Sequence, residues 1–599
     1  MTPNGTTRII AKPVIPLGRI GSTAVVWLVP DNRVRQLPAD IVPVLGFAQE
    51  PRRLADISTY IRELGKDSVS TVAALLDAGL LVTITEVTRK DAFGEVQTPG
   101  ATKRAPREIT TDIGVTVWPT KSRTALLSRS ISSALAYDAV RKGHIAMLIS
   151  DDADRPSFAA RDLSFHATGS ENDTYRPSVG ARGDRARLLD MIAEEAGHSE
   201  ESRVALDFAL FGTDDDEWTL GANRNAALLW TAGSAVLFVD DDVVLTCREK
   251  VPPGSVAEVG GRSSPYRLVP GENAVRSMEE VFRPSEEPLS RLLASVGPMK
   301  GAMSLIVGDT TSATALARVR ADDARIALAT TGSWGDSGFR SRSTLLERLD
   351  DVRPADESWP VPPNRLSVDD VVLRYSDRAV LSDRPELIGM CFAVDNVRLL
   401  PPFFPTGRNS DGLFAAMLMA FDPTAVTYHT PITVFHNPGT ARRRPRKPFD
   451  VTPELSDLVV AMIHAEPPIP ATRSVGLSDS LRVFGSRLLS ISQASEQIFG
   501  NWIADVWAKY VASVLQRLQP QIDELARDSR PIYHDLERLR NAYVQSTQSI
   551  DHLLSSIGGR SRSNRSAILQ TRVERFGQVL MDWPATFEAA KRVRGNGNE

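Results

Sequence analysis

Residues 221–242 read GANRNAALLWTAGSAVLFVDDD. The apolar run from Ala226 to Val239 divides into a helical stretch, AALLWTAG, and a strand, SAVLFV, that ends on Asp240, Asp241 and Asp242. A strand that is apolar throughout, without polar alternation, belongs in a sheet buried on both faces. Two carboxylates with one residue between them at the mouth of such a strand suit a hard divalent cation. Mg²⁺ and Mn²⁺ take oxygen ligands and are usually held by one or two carboxylates plus substrate phosphates. The run contains Thr231 and Ser234 and falls short of the ~20 residues that a membrane span requires.

Working outward, residues 111–450 alternate further apolar strands (DIGVTVW, HIAMLIS, SLIVG and ARIALAT) with helical stretches, which predicts an α/β fold. In open α/β sheets ligands bind at the carboxyl ends of the strands. GVTVW runs into Pro119, Thr120, Lys121, Ser122 and Arg123 and then a helix, which sets backbone N–H groups and side chains of this turn where a ligand binds. HIAMLIS ends on Asp151 and Asp152, either of which can accept a hydrogen bond from a base or a ribose. Arg224 and Asn225 precede the helical stretch of the central run. A strand-like segment, IGMCFAVDN, leads into LLPPFFPTGRNSDGLFAAMLMAF, where Asp411 follows a turn-rich loop and precedes an apolar helix. PITVFHNP presents His436, a possible metal ligand or phosphate contact. The basic residues Arg442, Arg443, Arg444, Arg446 and Lys447 suit either a diphosphate clamp or a solvated linker. Trp334 suits a sugar-stacking face or a buried aromatic, and Asp214–Asp216 read as surface charge.

The ends differ from this middle. Residues 1–100 hold two short strands, STAVVWLV and NRVRQLP, and then helical segments closing with VSTVAALLDAGLLVTI, where Gly79 sits at a helix end. Residues 89–110 are a polar linker. Residues 475–599 are helical in period and form an all-helical domain, interrupted by Pro520, Pro531 and the polar stretch 558–566; Trp502 and Trp507 are core candidates. A net charge of −4 argues against a general nucleic-acid binder, and Cys247 and Cys391 are too few for a disulfide framework or a cysteine-rich zinc site. The N-terminus lacks the apolar segment of a signal peptide, so a cytoplasmic protein is expected.

In order and spacing, these motifs resemble the GT-A-fold glycosyltransferases, in particular the inverting family 2 type. Pro119, Thr120 and Arg123 are similar to its PT-x-x-R turn, and Asp151 or Asp152 to its nucleotide-contacting acid. Arg224-Asn225 looks like its Arg-Asn pair, Asp240-Asp241-Asp242 like its D-x-D metal motif, and Asn409-Ser410-Asp411 like its base motif. The resemblance implies a nucleotide-sugar donor, expected to be UDP-linked, and donor contacts at Pro119, Thr120, Arg123, Asp151, Asp152, Arg224, Asn225 and Asp240. It further implies Mn²⁺ or Mg²⁺ at Asp240, Asp242 and His436, and Asp411 as general base. The match covers roughly 111–440, and the insert at 154–218 is longer than usual for the family.

Residues 1–100 resemble the small PqqD-like winged-helix domains that bind leader peptides of ribosomally made, modified peptides. The matching pattern is a strand pair, then DIVPVLGFAQEPRRLADISTYI, then VSTVAALLDAGLLVTI. Together the resemblances imply sugar transfer to a precursor peptide tethered through its leader. Two other readings stand beside it: a polysaccharide or cell-surface glycan transferase, and a non-catalytic scaffold that only binds nucleotide-sugar.

Overall fold

A computed structural model describes residues 8–596 except 13, 21, 29–32, 50, 84–113, 154–164, 167–173, 176, 214–217, 251–255, 261–265, 300–303, 308–310, 337, 339–370, 440–450, 452, 454, 466–475, 528–531 and 548–561. The linker 89–110, Asp214–Asp216, Pro531 and the basic run 442–447 therefore lie outside the described residues.

The chain is mixed α/β, with a large mixed sheet at its centre and helices at its C-terminal end. The strands that matter for the site are β1 (Gly114–Thr120), β2 (Ile145–Asp151), β3 (Ser178–Gly180), β4 (Ala235–Val239), β5 (Val243–Glu249), β6 (Arg325–Asp336), β7 (Cys391–Asp395) and β8 (Ala425–His436). Their order across the sheet is β3-β2-β1-β4-β7-β6-β8. The strands β1 to β4 run parallel, β7 is antiparallel to both its neighbours, and β6 and β8 are parallel again. β5 pairs antiparallel with β8, on the far side of the acidic turn that follows β4.

Burial on both faces explains the unbroken apolar strands. Along β4, Val236 and Phe238 enter one core cluster, while Leu237 and Val239 enter the other. On β7, Phe392 and Val394 face one side, and Cys391 and Ala393 face the other. One face is covered by α2 (Arg182–Ala196), α3 (Glu200–Phe211), α4 (Leu220–Trp230) and α5 (Ser410–Phe421); α1 (Thr124–Ala134) covers the opposite face. The insert 154–218 is thus partly structural: it supplies β3, α2 and α3.

Three sequence expectations need correction. The helical stretch does not begin after Asn225: α4 starts at Leu220, so Gly221 to Asn225 already belong to it. Pro520 does not break the C-terminal helices but lies inside one, Glu496–Arg527. An interior proline costs about 3 kcal/mol, and here that cost is offset by packing, since Leu518 and Ile522 on either side are buried. The polar stretch 558–566 is not all loop, because Arg562–Asn596 is one long helix, α6. That helix shares a single apolar core with the sheet: Phe576 packs on Phe404, and the Trp583 indole donates to the Leu400 carbonyl at 2.8 Å. Trp507 is buried in the same core.

The N-terminal region has two small antiparallel sheets. One joins Val14–Ile20, Thr23–Leu28 and Arg33–Pro38; the other joins Arg8–Ala11 with Arg52–Arg53 and Leu81–Thr83. The helix Ser68–Asp77 starts on Asp67, whose carboxylate accepts from the Val69 and Ser70 amides, and ends before Gly79 at φ +65°, which lets the chain turn into the last strand. This region is not merely tethered: Ile10 enters the central core, and the Ala313 amide donates to the Gln49 carbonyl at 2.8 Å. Among the described residues, no helix is long and apolar enough to cross a membrane.

Candidate active site at the carboxyl edge of the central sheet

The chain lays down β1, β2 and β3 in one direction across the sheet and then places β4 on the opposite side of β1. That reversal marks the place, outside the carboxyl ends of β1 and β4, where open α/β sheets form a ligand crevice. Thr120 closes β1, Ser122 takes a positive φ of 57°, and Arg123 caps α1, which turns its guanidinium back across the crevice mouth.

The acidic turn after β4 is held from several sides. Asp241 is fully buried; its Oδ2 accepts from the Thr120 hydroxyl at 2.7 Å and from Arg123 Nε at 2.9 Å, and its Oδ1 lies 2.5 Å from Arg123 Nη2. Asp242 takes Arg123 Nη1 at 3.2 Å, and its Oδ1 lies 3.4 Å from His436 Nε2. Asp240 keeps its side chain 22% exposed and pairs with Arg224 Nη2 at 2.9 Å. Burial pushes the Asp240 and Asp241 carboxyls above the ordinary carboxylate range, against the pull of Arg224 on the first and Arg123 on the second. Asp241 was not among the expected site residues, and together with Asp242 it holds Arg123.

Asp411 reaches the same place through Gly389. Its Oδ2 accepts from the Gly389 amide at 2.7 Å, and the Gly389 carbonyl accepts from Arg224 at 2.9 Å. A side chain at 389 would have no room: a Cβ there would lie 2.6 Å from Arg224 Nη2 and 2.9 Å from Asp411 Oδ2. Asp240, Asp242, Arg123, Arg224, His436 and Asp411 are thus brought together through a chain of contacts at the carboxyl end of β4. Asn409, at φ +59°, starts α5 and donates to Asp457, while Asp411 sits in the first turn of that helix.

The paired acids after β2 divide their work. Asp152 is buried and internally engaged, by Arg185 Nη1 at 2.6 Å and by the Thr219 hydroxyl. Asp151 accepts from the Ala153 amide at 3.0 Å with Oδ1, while its buried Oδ2 makes no hydrogen bond. Burial raises the Asp151 pKa.

Asn225 departs from the expected donor contact. Its amide is fully buried and joins α4 to the loop before α5, donating to the Ala209 and Phe403 carbonyls (2.9 Å each) and accepting from the Phe403 amide at 2.7 Å. Because α4 starts at Leu220, this residue is more than a turn inside the helix, and its hydrogen bonds are used by the backbone. Asn223, which the sequence reading passed over, ties the carboxyl ends of β1 and β2 together through the Thr120 and Ser150 carbonyls. Arg185 was equally unforeseen, since a lone arginine in an insert carries no periodic or motif signal. Trp334 stacks on Phe435 with ring centroids 4.2 Å apart.

Beside Asp242, the His436 Nδ1 lies 2.6 Å from the Asp336 carbonyl, which can only accept, so Nδ1 carries a proton, and Nε2 lies 3.4 Å from Asp242 Oδ1. Carboxylates and an imidazole are side chains of the type that hold Mn²⁺ or Mg²⁺. Among the described residues, no three His, Cys, Asp or Glu side chains stand as a ready-made metal cage. A hard ion that also binds substrate phosphates does not require one. Compared with models of known protein families, with curated proteins and with solved structures, the chain matches none.

Proposed function

We propose that this protein is a metal-dependent glycosyltransferase of the GT-A type, which moves a sugar from a UDP-linked donor to an acceptor with inversion. The observation that carries the reading is the convergence of Asp240, Asp242, Asp411, Arg123 and Arg224 on one crevice at the point where the strand order reverses. Asp151 is the better of the two acids for the base. A carboxylate accepts only, and its one open oxygen matches the single N–H of a uracil ring, whereas both Asp152 oxygens are engaged. Asp240, Asp242 and His436 would hold Mn²⁺ or Mg²⁺, which neutralises charge building on the diphosphate leaving group. Arg123, with its side chain 43% exposed, is placed to turn from the aspartates to a phosphate. Asp411 holds its orientation through the Gly389 amide and takes the proton of the attacking acceptor hydroxyl or thiol.

The acceptor is a ribosomally made precursor peptide whose leader docks on the N-terminal region; this part of the reading rests on the PqqD-like pattern. The contact of that region with the central core means that the docked peptide is held at a fixed distance from the crevice. The test is hydrolysis of a UDP-sugar panel with Mn²⁺. The Asp240→Ala, Asp242→Ala double variant is expected to lose roughly 100-fold or more of this activity, and a double variant as active as the parent overturns the metal role.

A further inference from the structure

β6 ends on Trp334, Gly335 and Asp336, and the transfer chemistry above gives these residues no task. In parallel register Trp334 lies beside Phe435, and Gly335 beside His436. The stack of Trp334 on Phe435 holds that register. Gly335 takes a φ of +106°, and a Cβ there would lie 2.4 Å from the His436 carbonyl oxygen, so glycine is what lets the two strand ends come this close.

Asp336 uses this proximity in two ways. Its carbonyl oxygen is 2.6 Å from His436 Nδ1, and its carboxylate Oδ1 is 3.8 Å from the same nitrogen. The Oδ1 also accepts from the Gly338 amide at 2.8 Å, a side-chain turn that fixes the direction of the peptide following Asp336. Gly338 takes a φ of +68°, and a Cβ there would lie 3.4 Å from His436 Cε1. A free imidazole rotates in a broad χ2 well and can carry its proton on either nitrogen. The His436 side chain is buried, so water does not replace a lost partner. Its Nδ1 proton is committed to the Asp336 carbonyl, and its Nε2 is turned to Asp242 Oδ1, 3.4 Å away. The next residue ties the same two elements together, because the Asn437 amide donates to the Asp242 carbonyl at 2.9 Å.

We infer that Asp336 is a positioning residue for the cation site. The turn it makes with Gly338 aims its carbonyl at Nδ1, and that bond presents His436 Nε2 to the Asp242 side in one orientation. A histidine that binds a metal takes its ring orientation and tautomer from the partner of its other nitrogen. The effect on Mn²⁺ rests on the metal role proposed above, whereas the orientation of the ring does not.

The experiment has two readouts on the full chain: Mn²⁺ titration followed by the resonance of the free ion, and ¹⁵N-histidine NMR of the metal-free protein, with His436→Gln identifying the His436 signals. The parent spectrum should show His436 protonated at Nδ1. Asp336→Ala opens the turn; the Nδ1 proton should redistribute between the two nitrogens, and Mn²⁺ affinity should fall about tenfold to a hundredfold. Asp336→Asn keeps an oxygen for the Gly338 amide and should restore both readouts, which a loss of general stability would not do. Gly338→Ala, strained at this φ, should weaken Mn²⁺ in the same direction. Parent-like Mn²⁺ affinity in Asp336→Ala, or Asp336→Asn as impaired as Asp336→Ala, overturns the inference. If the parent itself binds no Mn²⁺, the metal role falls, and the spectra alone decide whether Asp336 orients the ring: an unchanged His436 pattern in Asp336→Ala overturns that as well.

Discussion

Two clusters of arginine and aspartate, built from the same side chains, are put to opposite uses in this molecule. In the first, Arg325 is closed in on every side: it reaches Asp422 Oδ2 at 2.7 Å, Asp395 Oδ2 at 2.9 Å and the Leu399 carbonyl at 3.2 Å. The Asp422 Oδ1 accepts from the Thr424 amide and hydroxyl at 2.9 and 2.7 Å. Burial acts to raise the Asp422 pKa, but Arg325 and Thr424 outweigh it, and the carboxyl sits below the ordinary range. In the crevice the balance is reversed. Burial dominates over Arg123 and Arg224, and Asp240 and Asp241 are raised. The first cluster is a staple; the raised carboxyls of the second, which their arginines do not bring down, are part of the ground for the ligand site proposed above.

The largest effect that would sharpen this contrast is on chemistry. Asp411→Asn removes the base while keeping an oxygen to accept from the Gly389 amide, and is expected to lower kcat roughly 100- to 10,000-fold, with Tm and donor binding unchanged. A variant with full kcat breaks the assignment.

Next in size is stability. Asp422→Ala strands a buried guanidinium and should cost about 3–5 kcal/mol in chemical denaturation, with little change in Mn²⁺ affinity if the protein folds. Asp240→Asn should do the reverse, weakening Mn²⁺ while leaving stability near that of the parent. If both variants behave alike, the two clusters do not differ in kind.

The smallest effect is in pH. A carboxyl with a raised folded-state pKa binds its proton more tightly in the folded than in the unfolded chain. The stabilisation this gives is therefore present at low pH and lost as pH rises through the folded value, about 6 for Asp240. The metal-free protein should gain stability from Asp240 as pH falls from about 6 toward the ordinary carboxylate value of 3.8, while Mn²⁺ affinity falls by up to about tenfold per unit below pH 6 because the ion competes with the proton. Asp422 has the opposite sign: its contribution is present above the ordinary carboxylate pKa of 3.8 and disappears as pH falls through its lowered folded value. Tm measured against pH in the parent and in Asp240→Asn checks both, and a slope between pH 4 and 6 that is unchanged in Asp240→Asn counts against Asp240 as a source.

Much of the sheet was legible because burial on both faces favours apolar residues along a strand, as in Ala235–Val239; Gly114–Thr120 and Ile145–Asp151 follow it with exceptions at the buried Thr116 and the exposed Ala146. The acids at strand ends were legible for the same reason, since a charge directly after such a run marks where the chain leaves the core. Asn225 was misjudged because a polar residue at a helix start looks alike whether it faces a ligand or the carbonyls of another segment. Arg185, Asn223 and Gly389 were invisible: each acts on a partner dozens of residues away, and no local pattern encodes that pairing.

The amino-acid order by itself determined the class of fold, the positions of the central strands and the set of carboxylates available for chemistry, because these follow from local hydrophobic periodicity. Only the tertiary structure decided which oxygens remain open. Asp151 and Asp152, or Asp241 and Asp242, are equivalent as letters. They become different groups once Arg185, Thr219, Thr120 and Arg123 arrive from elsewhere in the chain, because hydrogen-bond saturation and desolvation are properties of a site and not of a residue.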